Sequence, residues 1–335
     1  MNKDKIINIL FFCLIVQLIT CTPSQNKRKL VQIKAFPDPD SQIEGDYLAH
    51  PFDLALVNDR YYVTDTIENC IKVFNRNGDY ICQIGSKGSG PGEFIDPFNI
   101  AADNQNIYCE NSGNHRISIF TIDGVYSSSV RTMQAIRAME TCNGFLFTLS
   151  YNIKTGSIGN IYTTRGKLIR VFGSPPRVDK IKDNFWRELL YYDLSLRCRK
   201  DTLFIAYEAL PIIQAYNSHG ELLHVIELKD KKILGELKKN TVKKKVFIDD
   251  QRMRIRVWSR GFDYDGEFFY CYDPFIYKAM LVINRNGETI DRLYLDMDPE
   301  NSMYMFFKQK NGDQFIFVDL TSDSQVKIFA EQKRD

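Results

Sequence analysis

Residues 51–85 read PFDLALVNDRYYVTDTIENCIKVFNRNGDYICQIG, and residues 97–130 read PFNIAADNQNIYCENSGNHRISIFTIDGVYSSSV. The two stretches align without a gap, because Pro51 and Pro97, Phe74 and Phe120, and Gly78 and Gly124 are each 46 residues apart. A period of that length marks stacked supersecondary units, none of which can bury its apolar face alone. Inside each copy, apolar and polar residues alternate in four short runs. An Asn-Gly or Asp-Gly dipeptide separates the third run from the fourth, which is the signal of an antiparallel hairpin. Four antiparallel strands per repeat predict the blade of a β-propeller.

Between these copies stands GSKGSGPGEF, residues 85–94. A phosphate-binding loop needs a Lys after its last Gly, followed by Ser or Thr and a helix. Here Gly92 is followed by Glu93 and Phe94, and Pro91 removes a backbone donor from the middle of the supposed cradle. The stretch is therefore the loop that leaves the outer strand of one blade and crosses to the inner strand of the next. Its glycines supply positive φ where the chain reverses.

The later copies are worn but readable. FLFTLSYNIKTGSIGNIYTTRGKLIRVFG repeats the hairpin at Arg165-Gly166, TLFIAYEALPIIQAYNSHGELLHVIEL at His219-Gly220, and EFFYCYDPFIYKAMLVINRNGETIDRLYL at Asn286-Gly287. The last copy, DQFIFVDLTSDSQVKIF, stops after its third strand at Phe329. KLVQIKAF, residues 29–36, has no hairpin partner of its own and is the expected donor of the missing strand. The sequence thus predicts an all-β, six-bladed propeller of four-stranded antiparallel blades, closed by an N-terminal strand, which removes free sheet edges between the first and last blades.

The motifs P-F-x-I/L-A, N-H-R-I-x-I-F and G-x-x-G-x-G-P-G-E-F resemble NHL repeats, with Pro97–Phe120 as the best copy. The specific resemblance covers residues 51–130. Together with the N-terminus described next, the chain is similar to the exported six-bladed NHL-type propeller lipoproteins of Gram-negative bacteria. That resemblance implies a binding or scaffold role, or, as in NHL-type amidating lyases and lactonase-like propellers, a metal held on the axis by residues from several blades.

The N-terminus MNKDKIINILFFCLIVQLIT places Lys3 and Lys5 before an apolar run of about fifteen residues, the form of a secretory signal and shorter than the ~20 residues needed to span a membrane. Leu18-Ile19-Thr20-Cys21 has the form of a lipobox, so residues 1–20 are expected to be removed, Cys21 to carry lipid, and residues 21–28 to form a tether to a single domain over 29–335. No Asp follows Cys21 directly and no acidic run follows it, which points to the periplasmic face of the outer membrane. Loss of Lys3, Asp4 and Lys5 takes the formal charge from +2 to about +1. A nearly neutral, exported chain is not expected to bind nucleic acid.

Few residues nominate chemistry. The four histidines, His50, His115, His219 and His224, lack metal-ligand spacing, and no G-x-S-x-G elbow is present. No metal or cofactor is expected. Asp65, Asn111 and Arg116 stand where strand-end turns are held together, and Asp263 and Asp265 read as a solvated pair in a polar loop. Beyond Cys13 and Cys21 six cysteines remain, a number that permits three disulfides, although Cys82, Cys109 and Cys271 sit in apolar runs and read as small core residues.

Two insertions break the period, near 174–196 and 229–256. The first carries Trp186, Tyr191 and Tyr192, rigid aromatic area of the kind recognition surfaces favour. The second has eight Lys between 229 and 245, among them Lys238, Lys239, Lys243, Lys244 and Lys245. It reads either as a solvated segment packed by one apolar stripe or as a surface for an acidic partner or lipid head-group. These residues are the candidate ligand contacts, although padding between blades accounts for them equally well. The sequence thus points to a membrane-anchored, monomeric module that binds a protein, peptide or glycan without catalysis. A metal-dependent propeller lyase or hydrolase is the alternative.

Overall fold

The short alternating runs, each bounded by Gly, Asn or Asp, become strands because their β-branched and aromatic side chains pack on pleated faces. The computed structural model describes residues 27–152, 155–176, 194–242, 248–249, 252–253, 259–298, 305–321 and 324–332; for 151, 237–242, 248–249, 252–253 and 305 it describes the backbone alone. An N-terminal strand β1 (Lys29–Phe36) precedes blade 1, which comprises β2 (Pro51–Val57), β3 (Arg60–Asp65), β4 (Cys70–Asn75) and β5 (Tyr80–Ile84). Blade 2 comprises β6 (Pro97–Ala102), β7 (Asn106–Asn111), β8 (Arg116–Thr121) and β9 (Tyr126–Arg131). Blade 3 has β10 (Ala138–Cys142), β11 (Phe145–Asn152), β12 (Ser157–Thr163) and β13 (Leu168–Phe172), and blade 4 has β14 (Leu194–Arg199), β15 (Thr202–Tyr207), β16 (Ile212–Asn217) and β17 (Leu222–Glu227). A helix α1 (Lys231–Val242) and a two-residue ladder of β18 (Ile248–Asp249) and β19 (Arg252–Met253) lead to blade 5: β20 (Phe262–Tyr264), β21 (Phe269–Asp273), β22 (Ala279–Ile283) and β23 (Thr289–Leu295). Blade 6 supplies β24 (Met305–Asn311), β25 (Gln314–Asp319) and β26 (Val326–Glu331).

The fourth strand of blade 6 is β1, which pairs antiparallel with β26 from Leu30↔Glu331 to Phe36↔Val326. It also meets the outer strand of blade 5, where Lys29 and Leu30 pair in parallel with Tyr294 and Leu295 of β23. Arg28 donates to Glu331 and to Asp291, fastening both blades to the incoming chain. The ring is therefore a six-bladed propeller closed by its N-terminal strand.

Its interior is a ring of interfaces. Six buried apolar clusters each join one blade to the next. At the closing interface Phe36 of β1 and Ile316 of blade 6 pack with Tyr61 and Phe74 of blade 1. The hairpin glycine of one blade lies against the end of the outer strand of the blade before. Gly78 has φ +79, and a Cβ there would stand 2.7 Å from the Phe36 ring. The Asn-Gly dipeptide that marks the repeat in the sequence thus also lets the blades close up.

GSKGSGPGEF folds onto itself. Phe94 N donates to Ser86 O at 2.8 Å, Gly88 N to Phe94 O at 2.9 Å, and Gly90 N to the Glu93 carboxylate at 2.7 Å. Phe94 is fully buried in the interface between blades 1 and 2. With Glu93 occupying the donors, the loop offers no anion cradle.

Strand polarity fixes two faces. Inner strands start on the face where chains cross between blades, and the hairpins from third to fourth strand lie on the other. β13 ends and β14 begins on the crossing face. Helix α1 begins there, capped by Asp230, whose carboxylate accepts from Lys232 N and Ile233 N, and Ile233 is fully buried against blades 4 and 5. Among the described residues no helix is long and apolar enough to cross a membrane.

Candidate functional site at the propeller axis

Each blade sends its first strand to the axis, so residues distant in sequence meet there. Two layers result. At the crossing-face mouth the second residues of β2, β6 and β24 are Phe52, Phe98 and Phe306, an arc from three consecutive blades. Phe52 and Phe98 lie with centroids 4.8 Å apart. Lys308 Nζ stands 5.8 Å from the rings of both Phe52 and Phe306, and the Arg260 guanidinium lies 4.7 Å from Phe306 and 5.2 Å from Phe275. All three phenyl groups keep part of their surface open.

Deeper in, Asp53, Glu140 and Asp263 stand against Lys308, Arg197 and Arg199, and in the turn after β20 Asp265 stands against Lys310. Lys308 Nζ pairs with Asp53 at 3.1 Å, and Arg197 Nη1 lies 3.8 Å from Glu140. Arg199 donates to both oxygens of Asp263 at 3.0 Å, and Lys310 Nζ lies 3.5 Å from Asp265. Arg197 also reaches across to the backbone carbonyl of Lys308, linking blade 4 to blade 6. Asp263 has no exposed surface and accepts further bonds from Tyr264 N and Lys310 N, both at 2.7 Å. Its place in the core corrects the expectation of a solvated residue there, because blade 5 begins at Phe262 and Asp263 is an inner-strand residue, whereas Asp265 is exposed in the polar turn after β20, as expected.

The Glu140 carboxyl is pushed up to about 7. Burial is the main cause, Asp263 adds to it, and Arg197 and Arg199 oppose it without cancelling it. Nearby, burial also raises Glu110, although Asn99 and the Ile136 N–H donate to it.

A disulfide joins Cys142 to Cys198, tying the inner strands of blades 3 and 4 directly behind the Glu140 and Arg197 pair. Six cysteines permit three disulfides, and among the described residues this one is formed. Cys70, Cys109 and Cys271 are free and buried; Cys82 is free and exposed, which corrects its reading as a core residue, because β5 is an outer strand with one covered residue, Ile84.

The turn residues behave as the sequence suggests. Asp65 accepts from Ala49, His50, Ile67 and Glu68 N–H groups. Asn111 accepts from Ile95 N and donates to Glu93 O, while Arg116 donates to Gly90 O and Glu93 O. Asp273 repeats the Asp65 pattern in blade 5. The histidines stay apart, and among the described residues no group of three or more His, Cys, Asp or Glu is placed to hold a metal.

Cys21, Trp186, Tyr191, Tyr192, Lys243, Lys244 and Lys245 lie outside the described residues, and Lys238 and Lys239 belong to α1, whose side chains there are not described. The axial charges escaped the sequence reading although a signal exists. Arg197 and Arg199 are two residues apart within β14, the spacing that puts both side chains on one face of a strand.

A family model described as a 6-bladed beta-propeller, DUF5128, matches residues 48–165. No curated protein matches the chain. Among solved structures, a candidate exported protein of Bacteroides fragilis superposes with a TM-score of 0.59 at 11% identity, covering 92% of this chain and 95% of that one. A DUF4221 family member from Bacteroides vulgatus gives 0.55 at 12% identity, covering 93% and 100%. Virginiamycin B lyase of Staphylococcus aureus gives 0.53 at 10% identity, covering 91% and 99%. At such identities the likeness is one of fold, and the chain is a six-bladed β-propeller.

Proposed function

We propose that the protein is an exported, lipid-anchored binding module that seats a protein, peptide or glycan ligand on its crossing face, over the axis, without transforming it. The observation that carries this reading is the two-layer axis. Its acids and bases are engaged with one another, while the Phe52, Phe98 and Phe306 arc above them keeps apolar surface open at the mouth. Paired charges rigidify the floor, and partly exposed aromatic rings give contact area at low entropic cost. Export is supported by the signal-like N-terminus and by the Cys142–Cys198 bridge, which belongs to an oxidising compartment. Anchoring at Cys21 rests on the lipobox, and the periplasmic face of the outer membrane rests on the residues that follow it.

One observation favours a catalytic reading as the second choice. Glu140, a carboxyl near neutrality beside Arg197, has the proton affinity of a general acid or base. A single experiment separates the two. Oligosaccharide and peptide fractions of the cell envelope are passed over immobilised wild type and Phe98→Ala, and bound compounds are weighed by mass spectrometry before and after incubation. Retention by wild type alone with unchanged masses supports binding. Mass change that Glu140→Gln abolishes supports catalysis and ends the first reading.

A further inference from the structure

The outer strands are not alike. β5, β23 and β1 each expose one large aliphatic residue, Ile81, Ile290 and Ile33, and β9 reads YSSSVR. By contrast β13 exposes Leu168, Ile169 and Val171, and β17 exposes Leu222, Leu223 and Val225, each by 44–51%. These two strands follow one another along the rim, since Phe172 at the end of β13 packs against Gly220 before β17. Outer strands carry unpaired backbone donors and acceptors toward solvent, and natural sheets blunt such edges with charge. Here charge is present but sorted by sign. β13 carries Arg170 and follows Arg165 and Lys167 in its hairpin, and β17 follows Glu221 and ends on Glu227.

We propose that a second copy of this chain docks on this rim, β13 of one copy lying antiparallel to β17 of the other, in a two-fold dimer. A two-fold axis parallel to the propeller axis, passing at the seam of blades 3 and 4, reverses the rim direction. It sets each basic strand against an acidic one twice over, as an isologous contact requires. The same operation leaves both crossing faces, and both tethers, pointing the same way, so the pair is compatible with one membrane and offers two axial mouths on one side. Such a pair gains avidity for a repetitive ligand. The contact is confined to two outer strands of each copy, so the dimer is weak and concentration-dependent. It stands in place of the monomer expected from the sequence.

Arg170 already donates to His219 O at 3.0 Å, which holds its guanidinium at the seam. The test is sedimentation velocity on the full chain in detergent over a hundred-fold range of concentration. Wild type should rise from one toward two chains per particle, less so in high salt. Lys167→Glu with Arg170→Glu should stay monomeric throughout, and adding Glu221→Lys with Glu227→Lys to that chain should restore the rise. Ile169→Asp, which changes an exposed side chain, should also stay monomeric. Wild type that remains one chain at every concentration overturns the proposal. So does association that survives charge reversal on β13 alone.

Discussion

Replacing Glu140 by Gln should make the protein more stable above neutrality and leave it unchanged in acid. The carboxyl is raised from an ordinary 4.5 to about 7, burial being the principal cause. Between those two values the folded chain binds a proton that the unfolded chain has released, so stability falls as pH rises through the window. At about 1.4 kcal/mol per unit, the integrated loss is about 3 kcal/mol, fully present above pH 7 and absent below 4.5. Gln cannot ionise, and it resembles the protonated acid in shape, so Glu140→Gln should escape the loss. For a domain of this size, ~3 kcal/mol corresponds to a difference of about 5 °C in Tm. Calorimetry of both proteins at pH steps from 5 to 8.5 should show two curves that meet at the acid end and separate toward the alkaline end, the variant above. A variant less stable than wild type at pH 8 would mean that the Arg197 pair outweighs burial, which refutes the reasoning.

Further outcomes are expected. The Cys142–Cys198 bridge closes a loop of 56 residues, so Cys142→Ser with Cys198→Ser should cost about 4 kcal/mol by chain entropy, measured as denaturant midpoint with and without reductant. Deleting residues 22–36 removes β1 and exposes the β26 edge, so aggregation should follow in light scattering, whereas deleting 22–27 should be mild. Cys21→Ser should move the protein from the membrane to the soluble fraction, and mass spectrometry of the wild type should find an acylated Cys21. Wild type that is soluble and cleaved elsewhere would end the anchoring reading.

Much of the fold was legible because blade strands obey local rules. The 46-residue spacing of Pro51 and Pro97, the hairpin Gly78 and Gly124, and the unpartnered run at Lys29–Phe36 each reflect one step of backbone geometry, and each became the structural feature it implied. The axis was harder to see. Asp53 and Lys308 are 255 residues apart and meet only because the ring closes. Asp263 sits in an inner strand of three residues, too short for alternation to show, at the end of the longer insertion. Cys142 and Cys198 occupy the ends of neighbouring inner strands, a relation visible only once the strand bounds are known. The wear of the repeat in blades 3 to 6 hid those bounds.

The most direct test of the binding account is amide hydrogen exchange on the full chain with and without whichever envelope fraction the wild type retains. The account predicts added protection at the starts of β2, β6 and β24, around residues 51–54, 97–100 and 306–308, with the hairpin-face turns unchanged. Protection confined to the hairpin face or to the outer strands, with these three starts unaffected, would contradict it.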